Sequence, residues 1–231
     1  MIPYQLIWWI FFLPLISFAV IALVVRPLVK PGNRISGYLA IAAIGGSLAL
    51  SVWTLASVMQ QANHEIAVPA ITWLSIGSLS VQIGILMDSL TAVMLVVVTL
   101  VSLMVQIYSQ GYMHGDSGYH RYFAWMSLFT MSMLGLVLAN NLLMMFVFCE
   151  MVGLSSYLLI GFWFHKPSAA NAAKKAFIVT RLGDFGFLAA LLLLFANTGT
   201  FDIITLRGLA VSGGLGGAVL TWSASGIFAG A

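Results

Sequence analysis

Charge is what this chain has least of. Only 6% of its 231 residues are Asp, Glu, Lys or Arg, against about 25% in a soluble domain. That scarcity excludes an ordinary water-facing surface, and the excess of nine basic over six acidic residues is too small to form a nucleic-acid-binding face. Cysteine is nearly absent: Cys149 is the single one, so no intrachain disulfide can form, and beside Glu150 in an apolar run it reads as packing rather than chemistry. The four histidines, His64, His114, His120 and His165, lack metal-ligand spacing and fall in expected loops or helix ends, where the reading is solvated side chains. The N-terminus MIPYQLIWWIFF has no basic stretch ahead of its apolar run and no small-residue cleavage site after it, so a retained first span is expected rather than a signal peptide.

What is present is long apolar runs. The chain is 61% hydrophobic with a mean hydropathy of +1.06, the composition of a polytopic helical membrane protein. Runs of about 20 apolar residues mark spans. They fall at about Leu6–Val25, Ile35–Met59, Ser89–Ser109, Tyr122–Ala139, Leu142–Phe164 and Ala170–Ala196. Pro27 and Pro31 are read as closing the first span, Asp88 as capping the third, and Lys166-Pro167-Ser168 as the break between the fifth and sixth. Gly45, Gly46 and Ser47 in the second span permit close helix contact.

Residues 70–86 behave differently. Leu79, Val81, Ile83 and Ile85 alternate with Ser80, Gln82 and Gly84, a period of two that argues strand. With Ile71, Trp73 and Ser75 as the other arm and Gly77-Ser78 as the turn, this predicts a β-hairpin at the outer membrane surface. Residues Phe201–Leu209 read as a short surface helix. A last apolar segment near Ala218–Ala231 is too short to cross, which points to a seventh helix cut within its length and to a fragment or early-terminated chain. The expected fold is therefore an all-α polytopic membrane protein with six complete transmembrane helices, a truncated seventh, and a β-hairpin between helices 2 and 3. The expected division is 1–65 for the first two helices, 66–87 for the hairpin, 88–140 for helices 3 and 4, and 141–231 for a further module. Basic residues Arg26, Lys30 and Arg34 after the first span, and Lys166, Lys174 and Lys175 between the fifth and sixth, place those loops in the cytoplasm and the N-terminus outside.

Against this apolar background the stretch FCEMVGLSSYLLIGFWFHKPSAANAAKKAFIVTRLGD, Phe148–Asp184, gathers Glu150, Lys166, Lys174, Lys175, Arg181 and Asp184. A charge at membrane depth costs roughly 2.5 to 3.5 kcal/mol on insertion scales, so intramembrane acids mark ion pathways by default. With spans five and six antiparallel, Glu150 lies about 12 Å below one face and Asp184 about 20 Å from the other, which is one level in a core of about 30 Å. At 100° per residue Lys174, Arg181 and Asp184 form one polar stripe, with Arg181–Asp184 an i,i+3 pair. Lys174 and Lys175 sit one turn inside and can snorkel outward. No basic residue lies within seven positions of Glu150, so its partner must come from another helix. Desolvation favours a neutral carboxyl and a nearby cation favours a charged one, so a cation that moves exchanges a proton. A purely structural Arg181–Asp184 pair holding two helices is an equal alternative.

FCEMVGLSSYLLIGFWF followed by KKAFIVTRLGDFGFL, together with MDSLTAVMLVVVTLVSLMVQIYSQGYM, closely resembles the large antiporter-like membrane subunit of respiratory complex I, subunit L of NADH:quinone oxidoreductase, over its N-terminal part. The resemblance implies that Glu150 is a proton-channel residue and that Arg181 and Asp184 are the family's R-x-x-D. It implies a lysine in a broken seventh helix as the partner of Glu150, beyond Ala231. It further implies that NADH, FMN, iron–sulfur clusters and quinone belong to other subunits, that the partners are other membrane subunits of complex I and the lipid bilayer, and that the membrane is a bacterial inner membrane. Two other readings stay open: a subunit of a multisubunit Na+/H+ antiporter, which shares these helices, and a truncated product that inserts without transporting.

Overall fold

The structure is a computed structural model that describes residues 2–29, 33–61, 65–76 and 79–230. Among these, six helices are long and apolar enough to cross a membrane. We number them α1 (Tyr4–Leu28), α2 (Ile35–Met59), α3 (Ser89–Tyr112), α4 (Tyr119–Leu138), α5 (Leu142–Ile160) and α6 (Pro167–Thr198). Two shorter helices follow, α7 (Ile203–Val211) and α8 (Gly217–Gly230). Strands β1 (Ile71–Ile76) and β2 (Leu79–Ile83) pair antiparallel. The expected all-α polytopic architecture with a hairpin between the second and third spans is the observed one. The Gly77-Ser78 turn, Lys30, Pro31 and His64 lie outside the described residues. Register along the hairpin runs Ile71↔Ile83, Thr72↔Gln82, Leu74↔Val81, so Trp73 is the extra residue of a bulge and the strict alternation read from the sequence is interrupted there.

Span boundaries follow local chemistry. The Asp88 side chain accepts from Thr91 N at 2.8 Å and caps α3, as expected. Asn141 caps α5 the same way, accepting from Met144 N at 2.7 Å. Pro167 occupies the first turn of α6, where its missing N–H costs nothing, and Gly199 closes that helix in the left-handed region at φ 70°. The first span closes in the Pro27–Pro31 stretch as read, but three residues later than Val25, because α1 ends at Leu28 with Val29 extended. Residues Ile21–Val25 widen into a π-turn and the helix continues through Pro27 to Leu28. A widened turn directly before the proline shifts the hydrogen-bond register, which lets the chain pass the missing donor without breaking.

Two compact units divide the chain: Met1–Ala67 with Met87–Val137, and Val68–Leu86 with Leu138–Ala231. The first holds α1–α4. Its contacts are made by small and hydroxyl-bearing residues. A Cβ at Gly46 would meet Leu13 Cδ1 at 3.2 Å, and Ser47 Oγ donates to Ile10 O at 3.1 Å. So α1 packs on the Gly46–Ser47 side of α2, while Gly45 faces open space.

In the second unit the hairpin is tied to the start of α5. Asn141 Nδ2 donates to Gln82 O at 2.6 Å, and Gly84 N donates to Asn140 Oδ1 at 3.1 Å. A Cβ at Gly84 would come within 2.7 Å of Asn140 Nδ2, so a side chain there would displace the Asn140 amide from this contact. The link between α6 and α7 joins the same knot through Leu142 N to Phe201 O, 2.9 Å, and Ile203 N to Asn140 O, 3.2 Å. The α5–α6 turn at the other end is held by Lys166 N to Trp163 O, with the Lys166 ammonium 5.1 Å from the Trp163 ring centre.

Candidate functional site

Helices α5 and α6 pack antiparallel through two aromatic pairs, Phe146 with Phe187 at 5.6 Å and Tyr157 with Phe177 at 5.4 Å between ring centres. These pairs fix the register between them. Glu150 lies four residues beyond Phe146 and Asp184 three before Phe187, so the two carboxyls meet at one level, as helical rise predicted.

Arg181 stands between them. Its Nη1 forms an ion pair with Glu150 Oε2, and the same nitrogen lies 3.4 Å from Asp184 Oδ2. Nη2 donates to the Glu150 carbonyl at 3.0 Å. The guanidinium stacks over the Phe177 ring at 4.6 Å. Gly153 gives it room, because a Cβ there would sit 3.1 Å from Arg181 Nη2. Asp184 is the most enclosed of the three, with 9% of its side chain exposed against 25% for Arg181 and 28% for Glu150.

The i,i+3 pair read from the sequence is present. The partner of Glu150 comes from another helix, as expected, but within these residues it is Arg181, which helical-wheel geometry had assigned to Asp184 and which the resemblance replaced by a distant lysine. An angle on one helix says which way a residue points and not which helix lies there. Lys174 and Lys175 are both exposed, and among the described residues neither joins an ion pair. Lys174 shares the stripe by position without joining the cluster.

On its other side α6 meets α8 backbone to backbone. A Cβ at Gly183 would come within 2.9 Å of Ala229 O, and one at Gly226 within 2.7 Å of Gly186 O. Gly230 likewise has no room beside Phe187 Cβ, 2.6 Å away. Gly226 and Gly230 form a G-x-x-x-G seam that holds the α6 segment bearing Arg181 and Asp184. The sequence reading passed over this seam, although its four-residue spacing was visible.

His120 is a second correction. Read as a solvated loop histidine, it is 4% exposed and its Nδ1 lies 2.6 Å from Ser36 Oγ. The fourth span begins at Tyr119, three residues earlier than hydropathy suggested, and carries His120 into the first unit. Among the described residues no three of His, Cys, Asp and Glu gather as metal ligands.

Six apolar spans, with a carboxylate–guanidinium–carboxylate cluster inside two of them, define a polytopic helical membrane protein with ionic groups held among its spans. Comparison with known proteins agrees. Residues 73–123 match the model of NADH-ubiquinone oxidoreductase (complex I) chain 5 N-terminus, and residues 139–231 match that of the NADH:quinone oxidoreductase/Mrp antiporter transmembrane region. The chain is 43% identical over 223 residues to NAD(P)H-quinone oxidoreductase chain 5 of Synechocystis, covering 94% of this chain and 32% of that protein. It is 46% identical over 207 residues to the chloroplastic subunit 5 of Anthoceros angustus, covering 88% and 28%. Among solved structures, a chain of an archaeal membrane-bound sulfane sulfur reductase matches the fold with a TM-score of 0.80 at 19% identity, over 98% of this chain and 44% of that one. The chain belongs to the family of antiporter-like membrane subunits of NADH:quinone oxidoreductase, whose N-terminal part it resembles. It spans about a third of the length of the relatives it matches.

Proposed function

We propose that the chain is the N-terminal part of a proton-translocating membrane subunit of NADH:quinone oxidoreductase, and that Glu150 and Asp184 carry the proton under the control of Arg181 between them. One observation supports this above others: a single guanidinium is shared by two carboxyls on adjacent apolar helices. Two carboxylates and one guanidinium sum to a charge of −1, and one added proton makes the cluster neutral. In a medium where net charge is expensive, the cluster therefore favours holding one proton on one of its two acids. Movement of Arg181 toward Glu150 frees Asp184 to take the proton, and movement toward Asp184 does the reverse. Charge changes elsewhere in the complex would bias that movement. Lys174, seven residues and about 10 Å before Arg181 on the same stripe, provides a cationic station toward the start of α6.

In this reading the redox groups NADH, FMN, iron–sulfur clusters and quinone are held by other subunits, and the chain's partners are the neighbouring membrane subunits and the bilayer. Residues 141–231 open the channel module, and the membrane is an energy-coupling one with the N-terminus on the outer side. Relatives named for chloroplasts extend the choice beyond a bacterial inner membrane. A multisubunit Na+/H+ antiporter remains the second reading, because the family model over residues 139–231 is common to both complexes. The relatives named as chain 5 favour the first.

Glu150→Gln in the intact complex separates them. The first reading expects fewer protons translocated per electron pair while NADH oxidation persists. An unchanged ratio overturns the role of Glu150, and a sodium-dependent pH gradient formed without NADH favours the antiporter.

A further inference from the structure

Lys174, Phe177, Arg181 and Asp184 follow one another along one side of α6, at spacings of three, four and three residues. The charged members of that stripe were legible in the sequence, and the aromatic one between the two cations was passed over. Phe177 is half-buried. The Arg181 guanidinium lies over its ring at 4.6 Å, and Tyr157 of α5 packs against the same ring at 5.4 Å between centres.

The contacts of that guanidinium are uneven. On the Glu150 side it has the ion pair to Oε2, the bond from Nη2 to the Glu150 carbonyl at 3.0 Å, and the room left by Gly153. To Asp184 it has one approach, Nη1 to Oδ2 at 3.4 Å, which is longer than a charge-assisted hydrogen bond. Nε is buried and has no hydrogen-bond partner among the described residues, so no acceptor fixes that edge of the group. A helical side chain leans toward the N-terminus of its own helix, over the residue four positions earlier. For Arg181 that residue is Phe177, on the side away from Asp184.

We propose that Phe177 is a positioning residue of the proton site: its ring holds the Arg181 guanidinium against Glu150 and away from Asp184. This rests on the reading of Glu150 and Asp184 as the acids that carry the proton. The acid that the guanidinium compensates less is the one that takes the proton. Phe177 thereby selects Asp184 as the acid loaded while Arg181 rests in this position. The attraction of a cation to a ring face grows as the pair is desolvated, and an apolar span is such a place. Leucine at this position removes the ring face while filling much of its space, and tyrosine keeps it. Tyr157 backs the ring from α5, so the support for Arg181 is built across both helices of the site.

Phe177→Leu and Phe177→Tyr in the intact complex test this, with Glu150→Gln beside them. In a density map of Phe177→Leu the guanidinium should lose its bond to the Glu150 carbonyl and lie nearer Asp184. Fewer protons should then be translocated per electron pair, at a ratio corrected for the assembled amount. Phe177→Tyr should keep both the wild-type position of Arg181 and the wild-type ratio. Phe177→Met, unbranched and adaptable, takes the place of Phe177→Leu should the latter not assemble. Two outcomes overturn the proposal: an Arg181 that stays on the Glu150 carbonyl without the ring, or a ratio that falls equally in Phe177→Leu and Phe177→Tyr. The proton site itself fails on a different result, an unchanged ratio in Glu150→Gln, and the position of Arg181 in the map is read independently of that ratio.

Discussion

The two units differ in the polarity they bury. In the first, most buried polar side chains are hydroxyls: Ser47, Ser51, Thr54, Thr99, Ser109, Thr130 and Ser132 are buried, and each hydroxyl donates to a carbonyl on its own helix, three or four residues back. Such back-bonding satisfies the donor locally and leaves the helix free to pack closely. The second unit has such groups too, Ser155 donating to Val152 O, and adds an ionic cluster that cannot be satisfied within one helix. Arg181 must reach across to Glu150 and along to Asp184. Neutral groups make a scaffold whose parts are nearly independent. Ionic groups make a unit in which removal of one member exposes the others.

That contrast orders the expected effects of substitution. Arg181→Met strands two carboxylates. Breaking a fully buried pair costs about 3 to 5 kcal/mol, and less is expected here because 25% of the Arg181 side chain is exposed. The thermal midpoint and the assembled amount of the complex should fall more than for any other substitution considered. Next, Gly226→Leu forces a side chain into a site where even a Cβ would meet Ala190 Cβ at 2.8 Å. Overpacking of this kind costs about 1 to 3 kcal/mol, and proton translocation should fall with the thermal midpoint because α6 is displaced. Wild-type behaviour of Gly226→Leu would show that α8 does not seat α6.

Ser36→Ala removes the hydrogen bond to His120 Nδ1 and should cost about 1 kcal/mol, read as a small drop in midpoint with the proton ratio unchanged. Ser102→Ala, which breaks the contact to Thr130, should cost about 0.6 kcal/mol, the average for such contacts in membrane bundles. A larger loss for Ser102→Ala than for Arg181→Met would abolish the distinction between scaffold and ionic unit.

The sequence carried most of the fold for a simple reason. A bilayer demands about 20 apolar residues per span, and that demand is written into hydropathy. The second span, Ile35–Met59, matched at both ends, and the Asp88 cap was visible because capping is local. Lateral facts were less legible. That Arg181 turns to Glu150 depends on which helix packs beside α6, and neither helix states it. His120 was misplaced because a histidine at a span end reads as polar, while its burial is decided by Ser36, 84 residues away. The π-turn before Pro27 left no hydropathy signal. In the site itself, the three residues and their common level could be read, whereas the sharing of one guanidinium could not.

The sharing of Arg181 is tested most directly by a double-mutant cycle in the intact complex. Thermal midpoint and assembled amount would be compared for Arg181→Gln, Glu150→Gln and the double variant. If Arg181 compensates Glu150, removing the carboxylate relieves the penalty of losing the guanidinium, so the double variant should be no less stable than Arg181→Gln and should recover part of its loss. Losses that simply add would mean that the two residues do not act as one unit, and the proton site would have to be rebuilt around another partner for Glu150.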